Sequence, residues 1–190
     1  MSLKNNMSLT LFTGSMFGGK TSALLAELRR FQLAGQKCLL IKHNSDIRFD
    51  AGSVTTHDGV AVQAVCTNKL RTHMPAMLSS THVFIDEIQF FDDIGCLEEL
   101  VSTGVIVFAA GLLTQFNGTP FPCMQQHISV WTDIRFFHAV CVTCKSVRAS
   151  RTIRHTPVCE SECMVGGAET YAPVCHACHL SWLAKNCTTF

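Results

Sequence analysis

Charged side chains are scarce in this sequence. Asp, Glu, Lys and Arg make up 15% of its 190 residues, whereas an average domain has about 25%. The formal net charge is +1, so composition gives no argument for binding nucleic acid or an anionic membrane. Arg148, Arg151 and Arg154 lie close together in the sequence, but this cluster is too short to indicate a nucleic-acid surface.

Long hydrophobic runs are also missing, although 47% of the residues are hydrophobic. The longest run, residues 104–113, falls far short of the roughly 20 residues that span a bilayer. No apolar run follows Lys4, as it would in a signal peptide. We therefore expect a cytoplasmic protein with no membrane partner, large enough for one core and a small appendage.

Alternating strand and helix patterns fill the first 111 residues. Leu24, Leu28 and Phe31 are spaced i, i+4, i+7, which predicts a helix from Thr21 that ends at Gly35. Alternating strands and helices indicate an α/β fold with a parallel sheet and helices on both faces. The apolar runs predicted to form strands are 9–13, 37–42, 83–86 and 105–111.

Local turn and cap signals predict two further elements. Asp58-Gly59, flanked by valines, favours a hairpin. Asp92 is the expected N-cap of a helix that runs through Leu97 and ends at Gly104. After residue 138 cysteines become dense and apolar runs stop, so we expect one domain over 1–138 and a second over 139–190.

Residues 14–21 read GSMFGGKT and match the phosphate-loop pattern G-x-x-x-x-G-K-[ST] at every required position. Between a strand and a helix, such a loop points N–H groups at phosphate oxygens, and the helix dipole adds positive potential. Lys20 can reach the β- and γ-phosphates, and the Thr21 hydroxyl can bind Mg²⁺. With this loop, the predicted α/β fold is of the P-loop NTPase-like class. The residues expected to bind the nucleotide are Gly14, Ser15, Met16, Phe17, Gly18, Gly19, Lys20 and Thr21.

Two acids, Asp86 and Glu87, lie at the end of the strand predicted at 83–86. In P-loop proteins an acid at the end of a neighbouring strand holds Mg²⁺, directly or through water, and Asp86 fits that role. Glu87 can then act as a general base towards an attacking hydroxyl or water, or it is a solvated strand end. The residues alone leave both an ATPase and a kinase open.

Four cysteines form two C-x-x-C pairs, Cys141 with Cys144 and Cys175 with Cys178. Pairs of this spacing can share one tetrahedral zinc ion at the base of the excursion 145–174. Four thiolate ligands leave no open coordination position, so the zinc would be structural. A redox role is the alternative for either pair.

Other potential ligands lie nearby. His176 and His179 are rivals for the second pair, and Cys159 and Cys163 are interpreted as loop residues without metal. The remaining cysteines are interpreted as small packing residues. They are Cys38, Cys66, Cys96, Cys123 and Cys187.

Taken together, these motifs resemble one family. GSMFGGKTS at 14–22, DEIQFF at 86–91, the two C-x-x-C pairs and VGGAETY at 165–171 are similar, in order and spacing, to the zinc-containing type II (cytosolic) thymidine kinases. The resemblance covers about residues 9–178 and implies a small zinc-bound lasso domain after the P-loop domain. It also implies transfer of the γ-phosphate of ATP to thymidine, with Mg²⁺, structural Zn²⁺ and a homotetramer. Deoxyuridine would be a second substrate, and the product dTMP would serve pyrimidine salvage.

The resemblance further implies roles for single residues. Glu87 would be the base for the 5′-hydroxyl, and Arg48, in DIRF, would lie near the phosphates as a second catalytic residue. Asp86 would serve magnesium, and Gln89 lies in the same motif on the nucleotide side. The lasso would fold over the base. The residues implied around the nucleoside are Met16, Phe90, Leu112, Phe116, Thr152, Val165, Gly166, Gly167 and Tyr171.

The sequence departs from the family at Leu113, where many members have an aspartate, and at CESEC over 159–163. Two other classes remain open. A P-loop ATPase or switch would turn over ATP without a nucleoside. A zinc-ribbon nucleic-acid module would need a basic face with interleaved aromatic residues, and the sequence offers only the short arginine cluster.

Overall fold

The computed structural model describes residues 8–46, 52–55, 61–155 and 166–186. Within these ranges the strands are β1 (Leu9–Gly14), β2 (Cys38–His43), β3 (Ser53–Thr55), β4 (Ala61–Gln63), β5 (Val65–Thr67), β6 (His82–Asp86), β7 (Ile106–Ala110), β8 (Asp133–Phe137), β9 (Arg151–Arg154) and β10 (Tyr171–Val174). The helices are α1 (Lys20–Leu33), α2 (Met74–Leu78), α3 (Cys96–Ser102), α4 (Pro122–Gln126) and α5 (His176–Asn186). Short 3-10 turns lie at Arg71–His73, Ile88–Phe90 and Ile128–Val130.

The main sheet has six strands in the order β5-β2-β6-β7-β1-β8 in the described part of the chain. Each neighbouring pair is parallel. Val83, Phe84 and Ile85 in the inner strand β6 are fully buried, as expected for a parallel sheet covered on both faces. The predicted strands are confirmed, and the carboxyl ends of β1, β6 and β7 meet at one edge of the sheet.

Apolar residues cover both faces of this sheet. On one face, Leu24 and Leu28 of α1 pack against Phe12, Phe84 and Phe108, and the rings of Phe84 and Phe108 stack with centroids 5.3 Å apart. Fully burying one such leucine contributes about 1.5–3 kcal/mol. The other face is covered by α2, α3 and α4. The predicted α/β class with helices on both faces is therefore confirmed.

The predicted N-cap at Asp92 is wrong. The helix α3 begins at Cys96 with Gly95 as its N-cap residue, because the two acids before it are engaged elsewhere. The Asp92 carboxylate accepts a hydrogen bond from Lys69 Nζ at 2.6 Å. The Asp93 carboxylate accepts backbone N–H groups of the segment that leads into α2. The predicted end is close to the observed one, since α3 ends at Ser102.

The strands β3 and β4 form the antiparallel pair expected of the hairpin, with Val54 opposite Val62. The predicted turn residues Asp58 and Gly59 lie outside the described residues.

A smaller unit follows β8. Antiparallel strands β9 and β10 pair here, and α5 packs beside β9. A separate apolar cluster includes Ala139, Cys141, Ala149, Ile153 and Val174. The domain limits 1–138 and 139–190 stay a prediction. In the described part of the chain, no helix is both long and apolar enough to cross a membrane.

Candidate active site

The phosphate loop connects the end of β1 to the start of α1, as predicted. Gly19 and Phe17 adopt left-handed conformations, with φ of 87° and 62°. Gly14 has φ of 137°, and a side chain at this position would overlap the carbonyl group of Phe137 in β8. A side chain at Gly18 would also press on this carbonyl, at 3.0 Å. Glycine is therefore needed here because the edge strand passes directly against the loop.

Thr21 and Asp86 lie side by side. The Thr21 hydroxyl is 3.2 Å from Asp86 Oδ1 and 3.3 Å from Asp86 Oδ2, and Asp86 is buried. A hydroxyl and a carboxylate beside a phosphate loop provide the oxygen ligands that Mg²⁺ prefers. Lys20 Nζ donates to the backbone carbonyl of Ser15 at 2.7 Å, so its ammonium group lies over the loop.

The smaller unit contacts the phosphate loop directly. The Ser15 hydroxyl donates to the carbonyl of Ala149 at 2.9 Å, and the Met16 N–H donates to the Thr152 hydroxyl at 3.1 Å. Phe17 packs against the apolar cluster of this unit. Thr152, expected near the nucleoside, thus contacts the loop main chain. Sequence analysis did not predict the Ser15 contact, because its partner lies 134 residues away.

Glu87 follows β6 in a left-handed conformation, with φ of 53°. This conformation is uncommon for a residue with a side chain and costs of order 1–3 kcal/mol, and such residues cluster at functional sites. Its carboxylate accepts a hydrogen bond from the side-chain amide of Gln89 at 2.5 Å. The side-chain oxygen of Gln89, Oε1, in turn accepts a hydrogen bond from the Leu112 N–H at 3.0 Å. The buried amide therefore connects the end of β6 to the segment after β7.

Gly111 makes this connection possible. A side chain at Gly111 would overlap the Gln89 amide and lie 2.6 Å from the Ile88 side chain. Gln89 was expected to bind the nucleotide. In the structure its side-chain amide donates to the Glu87 carboxylate. The sequence signal for this contact is only that both residues lie in one short motif.

The residues expected around the nucleoside occupy several elements. Phe116 is buried, with the guanidinium carbon of Arg154 5.7 Å from its ring centroid. Arg154 pairs across the antiparallel strands with Tyr171, which is also buried. The Phe90 ring meets Phe121 edge-on at 6.1 Å. Arg154 therefore links Phe116 and Tyr171, since it lies over the ring of the first and opposite the second in the strand pair.

Three members of that set lie in the stretch before β10: Val165, Gly166 and Gly167. The Gly167 carbonyl accepts the N–H groups of Thr170 and Tyr171, so this stretch is a turn that leads into β10. A side chain at Gly166 would press on the Thr170 side chain. Arg48 and Val165 lie outside the described residues, as do Cys159, Cys163 and Cys187.

The two C-x-x-C pairs come together as predicted. The Sγ atoms of Cys141, Cys144, Cys175 and Cys178 all lie within 4.8 Å of one another, and those of Cys144 and Cys175 are 3.6 Å apart. Zinc–sulfur bonds of about 2.3 Å in a tetrahedron give sulfur–sulfur distances of about 3.8 Å. The four cysteines therefore fit a zinc ion.

The thiols of this cluster differ in proton affinity. Burial acts to raise the pKa of Cys141, but N–H groups of Cys144, Cys175 and Thr143 outweigh it and lower that pKa to about 6. The N–H of Cys178 lowers the pKa of Cys175, whereas a hydrogen bond with Cys175 raises the pKa of Cys178 to about 12. The lowered pKa of Cys141 favours its thiolate, the form in which cysteine binds zinc.

The rival histidine ligands do not belong to this cluster, whose members among the described residues are the four cysteines. His179 instead lies 2.7 Å from the Phe116 carbonyl. Cys96, one of the expected packing residues, is buried in the core, which raises its pKa to about 11. The thiol of the half-buried Cys123 donates a hydrogen bond to the backbone carbonyl of Gln89.

The parallel sheet, the phosphate loop and the Thr21–Asp86 pair define a P-loop nucleotide-binding protein. The family model described as thymidine kinase matches residues 7–179. The chain therefore belongs to the thymidine kinase family, as its motifs indicate.

Relatives support this assignment. The chain is 33% identical over 181 residues to a thymidine kinase of Pseudothermotoga lettingae, covering 94% of this chain and 97% of that protein. It is 34% identical over 170 residues to a thymidine kinase of Rabbit fibroma virus, covering 89% and 94%. A solved DNA replication initiation factor gives a TM-score of 0.43 at 12% identity, covering 71% of this chain and 42% of that one. Similarity this low says nothing about activity.

Proposed function

We propose that this protein transfers the γ-phosphate of ATP to the 5′-hydroxyl of thymidine, with deoxyuridine as a second substrate. The observation that carries the proposal is the Thr21–Asp86 pair beside the phosphate loop, with Glu87 next in the chain. Family membership supports thymidine as the acceptor. The product, dTMP, would enter pyrimidine salvage.

The phosphate loop binds the triphosphate through its N–H groups, and Lys20 neutralises charge on the β- and γ-phosphates. Thr21 and Asp86 would hold Mg²⁺, which supplies positive charge to the transferring phosphoryl group. Arg48 is assigned to the phosphates on the family resemblance. These groups position the γ-phosphate for in-line attack.

Glu87 acts as the general base. Its carboxylate takes the proton of the 5′-hydroxyl while the hydroxyl oxygen forms a bond to the γ-phosphorus. The bond from the γ-phosphorus to the bridging oxygen breaks, and ADP leaves with that electron pair. Gln89 holds the Glu87 carboxylate by the hydrogen bond described above. The segments that carry Phe116 and Tyr171 cover the nucleoside and exclude water, which favours transfer to an alcohol over hydrolysis.

The first test is ADP release with Mg²⁺ and ATP, with and without thymidine, followed by identification of the product. Thymidine-dependent ADP together with dTMP supports the proposal. Equal ADP release without thymidine would make the protein an ATPase and remove thymidine from the assignment. Deoxyuridine is assayed in parallel, and light scattering tests the homotetramer that the family resemblance implies.

A variant tests the base. Glu87→Gln keeps the shape of the side chain and removes the proton acceptor, so kcat should fall by about 10²- to 10⁴-fold while ATP binding persists. Glu98→Gln, at an exposed position of α3, is the matched control and should keep the wild-type rate. A wild-type rate in Glu87→Gln would remove Glu87 from the mechanism.

A further inference from the structure

His179 joins the cysteine cluster to the segment that carries Phe116. It lies in α5, directly after Cys178, and its N–H donates to the Cys175 carbonyl at 2.9 Å. On the other side, His179 Nε2 is 2.7 Å from the Phe116 carbonyl oxygen, and both residues are buried. A carbonyl oxygen only accepts hydrogen bonds, so Nε2 carries the proton and donates.

Aromatic contacts reinforce this hydrogen bond. Trp182 lies three residues after His179, on the same face of α5, and its ring is nearly parallel to the imidazole at 13°, with centroids 6.4 Å apart. The same indole meets the Phe116 ring edge-on, with centroids 6.2 Å apart. The main chain and the ring of Phe116 are therefore both held by α5.

The segment also passes close to the imidazole. Gly118 has φ of +85°, and a side chain there would lie 3.2 Å from His179 Cε1. Glycine both permits this backbone conformation and leaves room for the histidine ring.

We propose that His179 is a positioning residue for thymidine binding, which fixes the Phe116 segment against the helix that the cysteine cluster begins. This inference rests on the proposed thymidine kinase function, in which Phe116 lines the nucleoside pocket. The cysteine cluster then does more than stabilise the smaller unit: it sets the position of one wall of the substrate site. Since ATP is bound by the phosphate loop, this contact affects nucleoside binding and not nucleotide binding.

The test compares His179→Phe with His179→Gln. Phenylalanine keeps the aromatic contact with Trp182 but cannot donate to the Phe116 carbonyl, whereas glutamine retains an Nε2 donor. We expect KM for thymidine to rise about five- to tenfold in His179→Phe, the size of one hydrogen bond to a buried carbonyl. KM for ATP and the zinc content per chain should stay at wild-type values, and His179→Gln should recover most of the loss. Ser181→Ala, at an exposed position of the same helix, is the control.

Gly118→Ala tests the contact from the other side, without a change in α5. The added methyl group presses on the imidazole and is also strained at a φ of +85°, so KM for thymidine should rise here too; His179→Phe, which leaves Gly118 in place, separates the lost hydrogen bond from backbone strain. If wild-type protein shows no thymidine-dependent turnover, the proposed function fails. If wild-type protein is active but both variants keep its KM for thymidine, only the positioning role fails. A loss of zinc in His179→Phe would show that His179 supports the cysteine cluster itself and would overturn the role in thymidine binding.

Discussion

The contact between Gln89 and Glu87 gives the sharpest prediction of mechanism. Gln89→Met keeps an unbranched side chain of similar length but removes both hydrogen bonds of the amide. A hydrogen bond to a charged group contributes about 1.5–3 kcal/mol. If it orients Glu87 in the transition state, its loss lowers kcat by about 10- to 150-fold, since each 1.36 kcal/mol is a factor of ten.

Steady-state kinetics with both substrates measure this effect. KM for ATP should stay unchanged, because the hydrogen bonds of the Gln89 amide go to Glu87 and to Leu112, both outside the phosphate loop. Cys123→Ala is the matched control, since its thiol donates to the backbone carbonyl of Gln89 and not to the side-chain amide. Adding Gln89→Met to Glu87→Gln should lower kcat no further if the amide acts through Glu87. Additive losses in the double variant, or a wild-type kcat in Gln89→Met, would refute the reasoning.

Three other outcomes are expected. Thr152→Val leaves the Met16 N–H without its acceptor, so the free energy of unfolding should fall by about 1–3 kcal/mol, while Thr152→Ser should lose less in the same denaturant titration. Burial lowers the pKa of His82 in the folded protein below its ordinary value of 6.5. As pH falls below 6.5, the histidine of the unfolded chain therefore takes up a proton before that of the folded chain, and the free energy of unfolding should fall. His82→Phe should flatten this pH dependence in thermal melts. A zinc chelator should lower the melting temperature, and Zn²⁺ but not Mg²⁺ should restore it; a melt unchanged by chelation would contradict a structural zinc site.

Much of this site could be predicted from the sequence because its chemistry is local. The phosphate loop is one contiguous motif. Its glycines are required by the backbone geometry, and its lysine and threonine by the side chains that such a motif directs at phosphate and Mg²⁺. The parallel strands are read from short apolar runs, and strand ends meet at one edge of such a sheet. The sequence assigned both Thr21 and Asp86 to magnesium, and the structure places the two side chains together; their role in binding the ion stays a prediction.

Contacts over long sequence distances were not predictable in this way. Aspartate is a favoured N-cap residue, which made Asp92 the expected cap. Its carboxylate instead accepts a hydrogen bond from Lys69, which lies 23 residues earlier. Spacing alone made His179 a rival zinc ligand, whereas the fold turns its imidazole towards Phe116. The Ser15–Ala149 hydrogen bond likewise joins segments that no periodicity relates.

The close packing at Gly14 bears on the proposed binding of ATP. The phosphate loop lies against the Phe137 carbonyl on one side and is hydrogen-bonded to Ala149 and Thr152 on another. Its main chain is therefore ordered by the folded protein before a nucleotide arrives. The conformational entropy lost in arranging the N–H groups is lost on folding and not on binding. In the proposed reaction, the binding energy of the triphosphate is then available to orient the phosphate that is transferred.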